Sequence, residues 1–210
     1  MTHPIVAKVI DELADHRTKF EAYCRSLSEE QLNRPVPQST WLVRDFIAHL
    51  ATIDEPVGEM FATVHAGQDP GIRTGDGERW DVDRWNEDRI QERRELPVEE
   101  VLTQAAESRA ALLVQLSALD ENDLAKTLKF GGDARRAPAE YPLGAYIQGW
   151  CKHDPMHALD MSRALPEVMT PEIEAWFADP VVQGYNRQMN PSPPGPLSPP
   201  RAERGSNESR

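Results

Sequence analysis

Cysteine and long apolar runs are both scarce in this chain of 210 residues. The two cysteines, Cys24 and Cys151, are too few for a disulfide framework and favour a reducing environment. No apolar run approaches the roughly 18 residues that a membrane span needs, and the first residues show no apolar signal segment. We therefore expect a cytoplasmic protein that does not act at a membrane.

Basic residues are also in short supply, with 23 Lys and Arg against 35 Asp and Glu and a net charge of −12. Nucleic-acid phosphates and anionic membrane surfaces both require a cationic face, so neither is an expected partner. No glycine-rich phosphate loop occurs with the flanking pattern of a nucleotide site. The hydrophobic share of 39% and the length are those of a globular domain that buries its own core.

Apolar residues recur every three to four positions along most of the chain, which is the rhythm of amphipathic helices. No alternating pattern is long enough for a sheet, although residues 127–140 can form either a loop or a small hairpin. The predicted main helices cover residues 4–27, a segment from Ser39 or Thr40 through Val64 interrupted near Pro56, residues 82–119 divided at Pro97, and a segment from Pro142 through Met161.

The predicted fold is therefore an all-α four-helix bundle with short additional helices. It occupies residues 1–180 as one domain, and the glycine-rich stretch 67–77 within it is predicted to be a loop. The chain then becomes rich in proline and polar residues. We expect residues 186–210 to form a disordered or polyproline-like C-terminal tail.

Two histidines, His153 and His157, stand four residues apart in the predicted fourth helix. Residues at that spacing lie on one face about 6 Å apart along the axis, so their imidazoles can converge on one metal ion. A catalytic metal usually takes three protein ligands, and His49, set within the apolar stripe of the second helix, is the candidate third. The alternative is three partly buried imidazoles hydrogen-bonded to neighbours. Pro155 is expected to kink the helix between the pair.

Two motifs carry a resemblance to a known family. The segment Trp41–Leu50 has an aromatic and aliphatic lead-in to its histidine, and the later motif has the form His-x-x-x-His-x-x-Asp, ending at Asp160. In this order and separation they resemble the DinB-like, or YfiT-like, superfamily of metal-dependent four-helix bundles. That superfamily includes the mycothiol-dependent maleylpyruvate isomerases and thiol S-transferases. The resemblance covers residues 5–165.

The resemblance implies that His49, His153 and His157 bind a divalent transition metal. Zinc is expected first, and nickel, cobalt or iron also suit three neutral imidazoles. It implies an enzyme that activates a low-molecular-weight thiol for transfer to, or isomerisation of, a small electrophilic substrate. In the mycothiol-using branch a glutamate typically stands at the position of His153, so the chain departs from that branch there. By family analogy, the protein is also expected to form a homodimer.

Two other functions remain open for the same fold. A metal-dependent hydrolase would activate water instead of a thiol and act on a small molecule. A non-catalytic bundle stabilised by its metal would bind a protein partner through the acidic surface or the proline-rich tail.

Carboxylates commonly orient metal-bound histidines. Asp45 precedes His49 by four residues and Asp160 follows His157 by three, so each lies within helical reach of a proposed ligand. The alternative is that each is a solvated charge on its helix.

Further residues are candidates for the pocket. Tyr146 and Trp150 share the predicted helical face of the histidine pair, although core packing is the commoner role of such aromatic residues. Arg84, Asn86 and Arg89 lie where the third helix can contact an anionic thiol or substrate.

Overall fold

The computed structural model describes residues 2–69, 81–131 and 138–189, and the regular structure within them is almost entirely helical. This result confirms the predicted all-α fold class. Two short strands, β1 (Thr127–Phe130) and β2 (Ala139–Pro142), pair antiparallel, and a single 3-10 turn covers Pro166–Val168. The α-helices are α1 (Pro4–Arg25), α2 (Glu29–Leu32), α3 (Val43–Thr52), α4 (Asp54–His65), α5 (Val82–Gln91), α6 (Val98–Ala118), α7 (Glu121–Ala125), α8 (Leu143–Trp150), α9 (His153–Ser162), α10 (Pro171–Phe177) and α11 (Pro180–Met189).

Four helical arms build the bundle: α1, the α3–α4 pair, α6 and the α8–α9 pair. Helix α6 packs against α1, α3 and α4, and α9 packs against α1 and α3. Helix α5 lies on α3, while α10 and α11 lie on α9. The two helices that carry the candidate histidines, α3 and α9, are therefore in direct contact.

Apolar side chains at helical spacing form two core clusters along the bundle. One cluster includes Phe20, Phe46 and Leu102. The other includes Leu13 and Phe61. Each fully buried side chain of this size contributes about 1.5–3 kcal/mol to burial free energy, so the two clusters supply most of the driving force for folding.

Between the clusters lie four buried charges, which we call the charged layer: Arg17 of α1, Asp54 of α4, Arg109 of α6 and Asp154 of α9. Arg17 donates two hydrogen bonds of 3.0 Å to Asp154. Arg109 donates one of 2.6 Å to Asp54 and one of 3.3 Å to Asp154. Burial alone would raise the pKa of the Asp154 carboxyl, but the two arginines hold it below its ordinary value. Paired charges thus join all four arms.

Helix α3 begins at Val43 and not at Ser39 or Thr40, which corrects the predicted start. Its first turn is capped by a carboxylate inside the helix, because Asp45 Oδ2 accepts a hydrogen bond of 2.9 Å from the Leu42 N–H. A negative charge in the first turn also interacts favourably with the helix dipole.

Two of the three prolines that are expected to interrupt helices, Pro56 and Pro155, lie in first turns instead. The second arm breaks at Ile53, and Pro56 is the third residue of α4. The fourth arm breaks at Cys151 and Lys152, and Pro155 is the third residue of α9. A proline there removes no intrahelical hydrogen bond, because the first N–H groups of a helix have no internal partner. The expected kink between the two histidines is therefore wrong, and both belong to one helix, α9.

For residues 127–140 the sequence leaves a loop and a hairpin open. The structure has the two strands of a hairpin there, with Thr127 opposite Pro142 and Phe130 opposite Ala139. Residues 70–80, which include most of the predicted glycine-rich loop, lie outside the described residues.

The division into a domain of residues 1–180 and a tail from residue 186 stays a prediction. Residues 186–189 of that predicted tail belong to α11, which packs on α9. The remainder of the predicted tail, residues 190–210, lies outside the described residues. In the part of the chain that the structure describes, no helix is long and apolar enough to cross a membrane.

Candidate metal centre

Three histidines come together where α3 meets α9. His49 lies near the C-terminal end of α3 and is 5% exposed, while His153 opens α9 and His157 follows one turn later. Their ring centroids are separated by 4.5 Å for His153 and His157, 4.9 Å for His49 and His157, and 5.3 Å for His49 and His153. The Nε2 atoms of His153 and His157 are 3.1 Å apart, and one ring nitrogen from each histidine lies within 4.8 Å of the others.

The environment keeps two of these imidazoles neutral. Burial lowers the pKa of His49 well below its ordinary value, and the neighbouring His157 lowers it further. Burial also lowers the pKa of His153, with His157 and His49 adding to the effect. Neutral imidazoles keep the lone pair that a metal ion requires.

Partners on the outer side of two rings determine which nitrogen points inward. His157 Nδ1 lies 3.0 Å from Asp160 Oδ2, and because a carboxylate only accepts, Nδ1 is the donor. His49 Nδ1 lies 3.1 Å from Asn86 Oδ1, which is likewise an acceptor. Both contacts leave the Nε2 lone pair available, and His157 Nε2 is the atom that faces His153.

Asp45 does not orient His49, contrary to the sequence-based expectation. It is fully buried and binds Arg94 through two hydrogen bonds of 3.0 and 2.8 Å, besides capping α3. Asn86 of α5 takes the position beside His49 instead, and it contacts this histidine although it was predicted to contact a substrate or thiol.

Aromatic rings surround the histidine group. Trp150 stacks on His153 with centroids 4.3 Å apart, and Trp41 and Phe46 lie 5.3 and 5.5 Å from the rings of His49 and His157. These rings restrict the access of water, although His153 and His157 remain partly exposed.

Tyr146 stacks between Trp150 and Phe130 of the hairpin. Its neighbour Trp150, and not Tyr146 itself, stacks on His153. Burial raises the pKa of its hydroxyl. Arg89 pairs with Glu92 at 3.0 Å, and Arg84 is exposed. Within the described ranges neither arginine hydrogen-bonds to the three histidines, and their contact with an anionic thiol or substrate stays a prediction.

The residues present fit a divalent metal. Two nitrogens at about 2.1 Å from one tetrahedral ion lie about 3.4 Å apart, which is close to the 3.1 Å between His153 and His157 Nε2. No two of the three ligand nitrogens are more than 4.8 Å apart, so each pair needs to approach by at most about 1.4 Å to bind one ion. Three imidazoles whose ring nitrogens converge are a donor set that suits zinc and its neighbours in the first transition row.

Fold and site together define a four-helix bundle with a three-histidine group compatible with a divalent metal. The sequence matches the mycothiol maleylpyruvate isomerase N-terminal domain family over residues 13–150, which is more than half of the chain. The chain therefore belongs to this family, and the match confirms the resemblance to DinB-like bundles. The matched range includes His49 and Asn86 and ends before His153. No curated protein and no solved structure gives a significant match.

Several neighbours of the histidines were missed by sequence reasoning. Phe46 precedes His49 by three residues, so its place on the same helical face was available as a signal. Arg94, which binds Asp45, and Tyr185, which binds Asp160, gave none, because both contacts join segments far apart in the sequence.

Proposed function

We propose that the protein is an enzyme in which His49, His153 and His157 bind a divalent transition metal, with zinc as the first candidate. Its reaction is the activation of a low-molecular-weight thiol for transfer to, or isomerisation of, a small electrophilic substrate. The observation that carries the proposal is the convergence of three ring nitrogens within 4.8 Å inside a bundle of this family.

The charge of the site favours an anionic ligand, such as a thiolate. A divalent ion supplies Lewis acidity that lowers the pKa of a thiol or of water toward neutrality. The three histidines contribute no negative charge, and the carboxylate of Asp160 is balanced by Arg163 at 2.9 Å. The ligand set therefore leaves the charge of the ion uncompensated, which supports binding of an anionic sulfur.

The residues of the chain hold and enclose this site. Asn86 and Asp160 fix the orientations of His49 and His157, so that little reorganisation accompanies ligand binding. Trp150 covers one face of His153 and helps to keep water from the reacting groups. Mycothiol is the first thiol to consider, because the family is named for a mycothiol maleylpyruvate isomerase.

The first experiment compares the metal content of the purified wild-type protein with that of His49→Ala and His157→Ala. We expect near-stoichiometric transition metal in the wild type and loss from both variants, because each removes one of three ligands. His65→Ala is the matched control, since His65 is half exposed and pairs with Asp123 outside the group. Absence of metal from the wild type, even after reconstitution with zinc, would sink the proposal.

Turnover then separates the possible reactions. The metal-loaded protein is incubated with small electrophiles in the presence and absence of mycothiol and other small thiols. Thiol-dependent consumption of an electrophile supports the proposed function, whereas product formation without thiol identifies a hydrolase. Metal-dependent stabilisation without any turnover would instead favour a non-catalytic bundle that binds a protein partner.

A further inference from the structure

Helix α11 lies beyond the residues that match the family, yet it reaches the histidine group. Its Tyr185 hydroxyl donates a hydrogen bond of 3.1 Å to Asp160 Oδ2. The same oxygen accepts from His157 Nδ1 at 3.0 Å. The Tyr185 ring also meets the His157 ring edge-on, with centroids 6.0 Å apart.

The second oxygen of the same carboxylate is held as well. Arg163 Nη2 lies 2.9 Å from Asp160 Oδ1 and donates a hydrogen bond of 2.7 Å to Asn186 Oδ1. Two consecutive residues of α11, Tyr185 and Asn186, thus fix Asp160, one directly and the other through Arg163. Asp160 is only 5% exposed, so these contacts are made largely away from water.

We infer that α11 is part of the metal site and that Tyr185 is a positioning residue for His157, acting through Asp160. A carboxylate held in place keeps the proton of His157 on Nδ1 and directs Nε2 toward the other histidines. Removal of the Tyr185 side chain admits water to Asp160 and frees it to rotate, so His157 loses its fixed acceptor. The consequence for metal binding rests on the function proposed above.

The test uses the full-length protein with Tyr185→Ala, which removes the ring, and Tyr185→Phe, which removes only the hydroxyl. Tyr141→Phe is the matched control, because Tyr141 is 48% exposed and its ring contacts Phe130 of the hairpin. Zinc affinity is measured by competition with a chelator. Residues that orient metal-bound histidines affect affinity by about 10–100-fold, and since Tyr185 acts through Asp160, we expect a loss of about 10-fold for Tyr185→Ala. The loss is smaller for Tyr185→Phe and absent for the control.

A second readout requires no metal. Imidazole ¹⁵N resonances of the metal-free protein, recorded at one mildly alkaline pH, report which nitrogen of His157 carries the proton. We expect an Nδ1–H imidazole in the wild type and in Tyr141→Phe, and a mixture of tautomers in Tyr185→Ala. A purely structural role of Tyr185 would lower the unfolding midpoint but leave the tautomer unchanged.

The two readouts keep the inference and the proposed function distinguishable. An unchanged His157 tautomer in Tyr185→Ala overturns the inference, while stoichiometric zinc in the wild type would still support the proposed function. A wild type that binds no zinc removes the proposed function, and the tautomer measurement still decides whether Tyr185 positions His157.

Discussion

The bundle holds two groups of polar side chains, the buried charged layer and the partly buried three histidines, and the two groups use their hydrogen-bonding capacity differently. In the charged layer two arginines face two aspartates, and each of the four carboxylate oxygens accepts at least one hydrogen bond. In the histidine group, by contrast, Nε2 of His153 and Nε2 of His157 face each other at 3.1 Å.

This difference separates a structural role from a binding role. In the charged layer every carboxylate oxygen already accepts from a guanidinium, so it offers no free ligand to an external cation, although Nη1 of Arg17 has no partner among the described residues. In the histidine group the converging Nε2 atoms of His153 and His157 have each other as hydrogen-bond partner, and a cation bound to both would replace that contact. Burial of polar side chains alone therefore does not indicate a binding site, whereas convergence of nitrogens that can bind a metal does.

The largest effect is expected from breaking the charged layer. Asp154→Ala leaves the guanidinium groups of Arg17 and Arg109 buried without one of their carboxylate partners, which costs about 3–5 kcal/mol in the free energy of unfolding. Urea denaturation of the metal-free protein measures this cost. Asp15→Ala is the control, because the Asp15–Lys19 pair is exposed and its loss costs well under 1 kcal/mol. Equal stability of the two variants would refute the structural role of the layer.

Zinc addition tests the binding role of the histidine group. At a free zinc concentration about 100 times the dissociation constant, the free energy of unfolding should rise by about 2.7 kcal/mol. His157→Ala should abolish this gain. Asp54→Asn, a variant of the charged layer, should be less stable but gain nearly the same increment from zinc. Loss of the increment in both variants would show that the two groups are not independent.

Much of this comparison could be predicted from local patterns. The spacing of His153 and His157, and the place of His49 in an apolar stripe, were sufficient to bring three imidazoles together, because helical periodicity determines which residues share a face. The break near Pro56 was only roughly placed, and the interruption expected between His153 and His157 lies before His153 instead. The sequence gives the position of a proline but not the residue at which the next helix begins.

The charged layer and the contacts of α11 could not be predicted in the same way. Arg17 interrupts the apolar stripe between Leu13 and Phe20, which was a visible signal, but its partner Asp154 lies 137 residues away. Pairing over such a distance depends on the register of packed helices, which no local pattern contains. Asp45 illustrates the same limit. Its spacing on the helix predicts a contact with His49, but its carboxylate binds Arg94, which lies 49 residues away in the sequence.

A buried imidazole outside the three-histidine group provides the smallest and sharpest test. His16 is 7% exposed, and its Nδ1 accepts a hydrogen bond of 3.0 Å from the indole of Trp176, so protonation there would break the contact. Burial lowers the pKa of His16, and the charge of Lys152 lowers it further, against the opposing effects of Asp15 and Asp154. Unlike the three converging histidines, this ring already has a protein partner for its acceptor.

The sign of the pH effect follows from that lowered pKa. As the pH falls below about 6.5, the unfolded chain binds a proton at His16 before the folded protein does, so the stability contributed by neutral His16 is full above that pH and declines below it. His16→Asn keeps an acceptor near the Nδ1 position but does not titrate. The wild type should therefore lose about 1 kcal/mol more than His16→Asn on acidification, the usual worth of one buried hydrogen bond. Parallel curves of unfolding free energy against pH would mean that His16 has the same pKa in the folded and unfolded states, which would contradict the expected effect of burial. Both proteins should bind the same amount of zinc, because His16 lies outside the converging group.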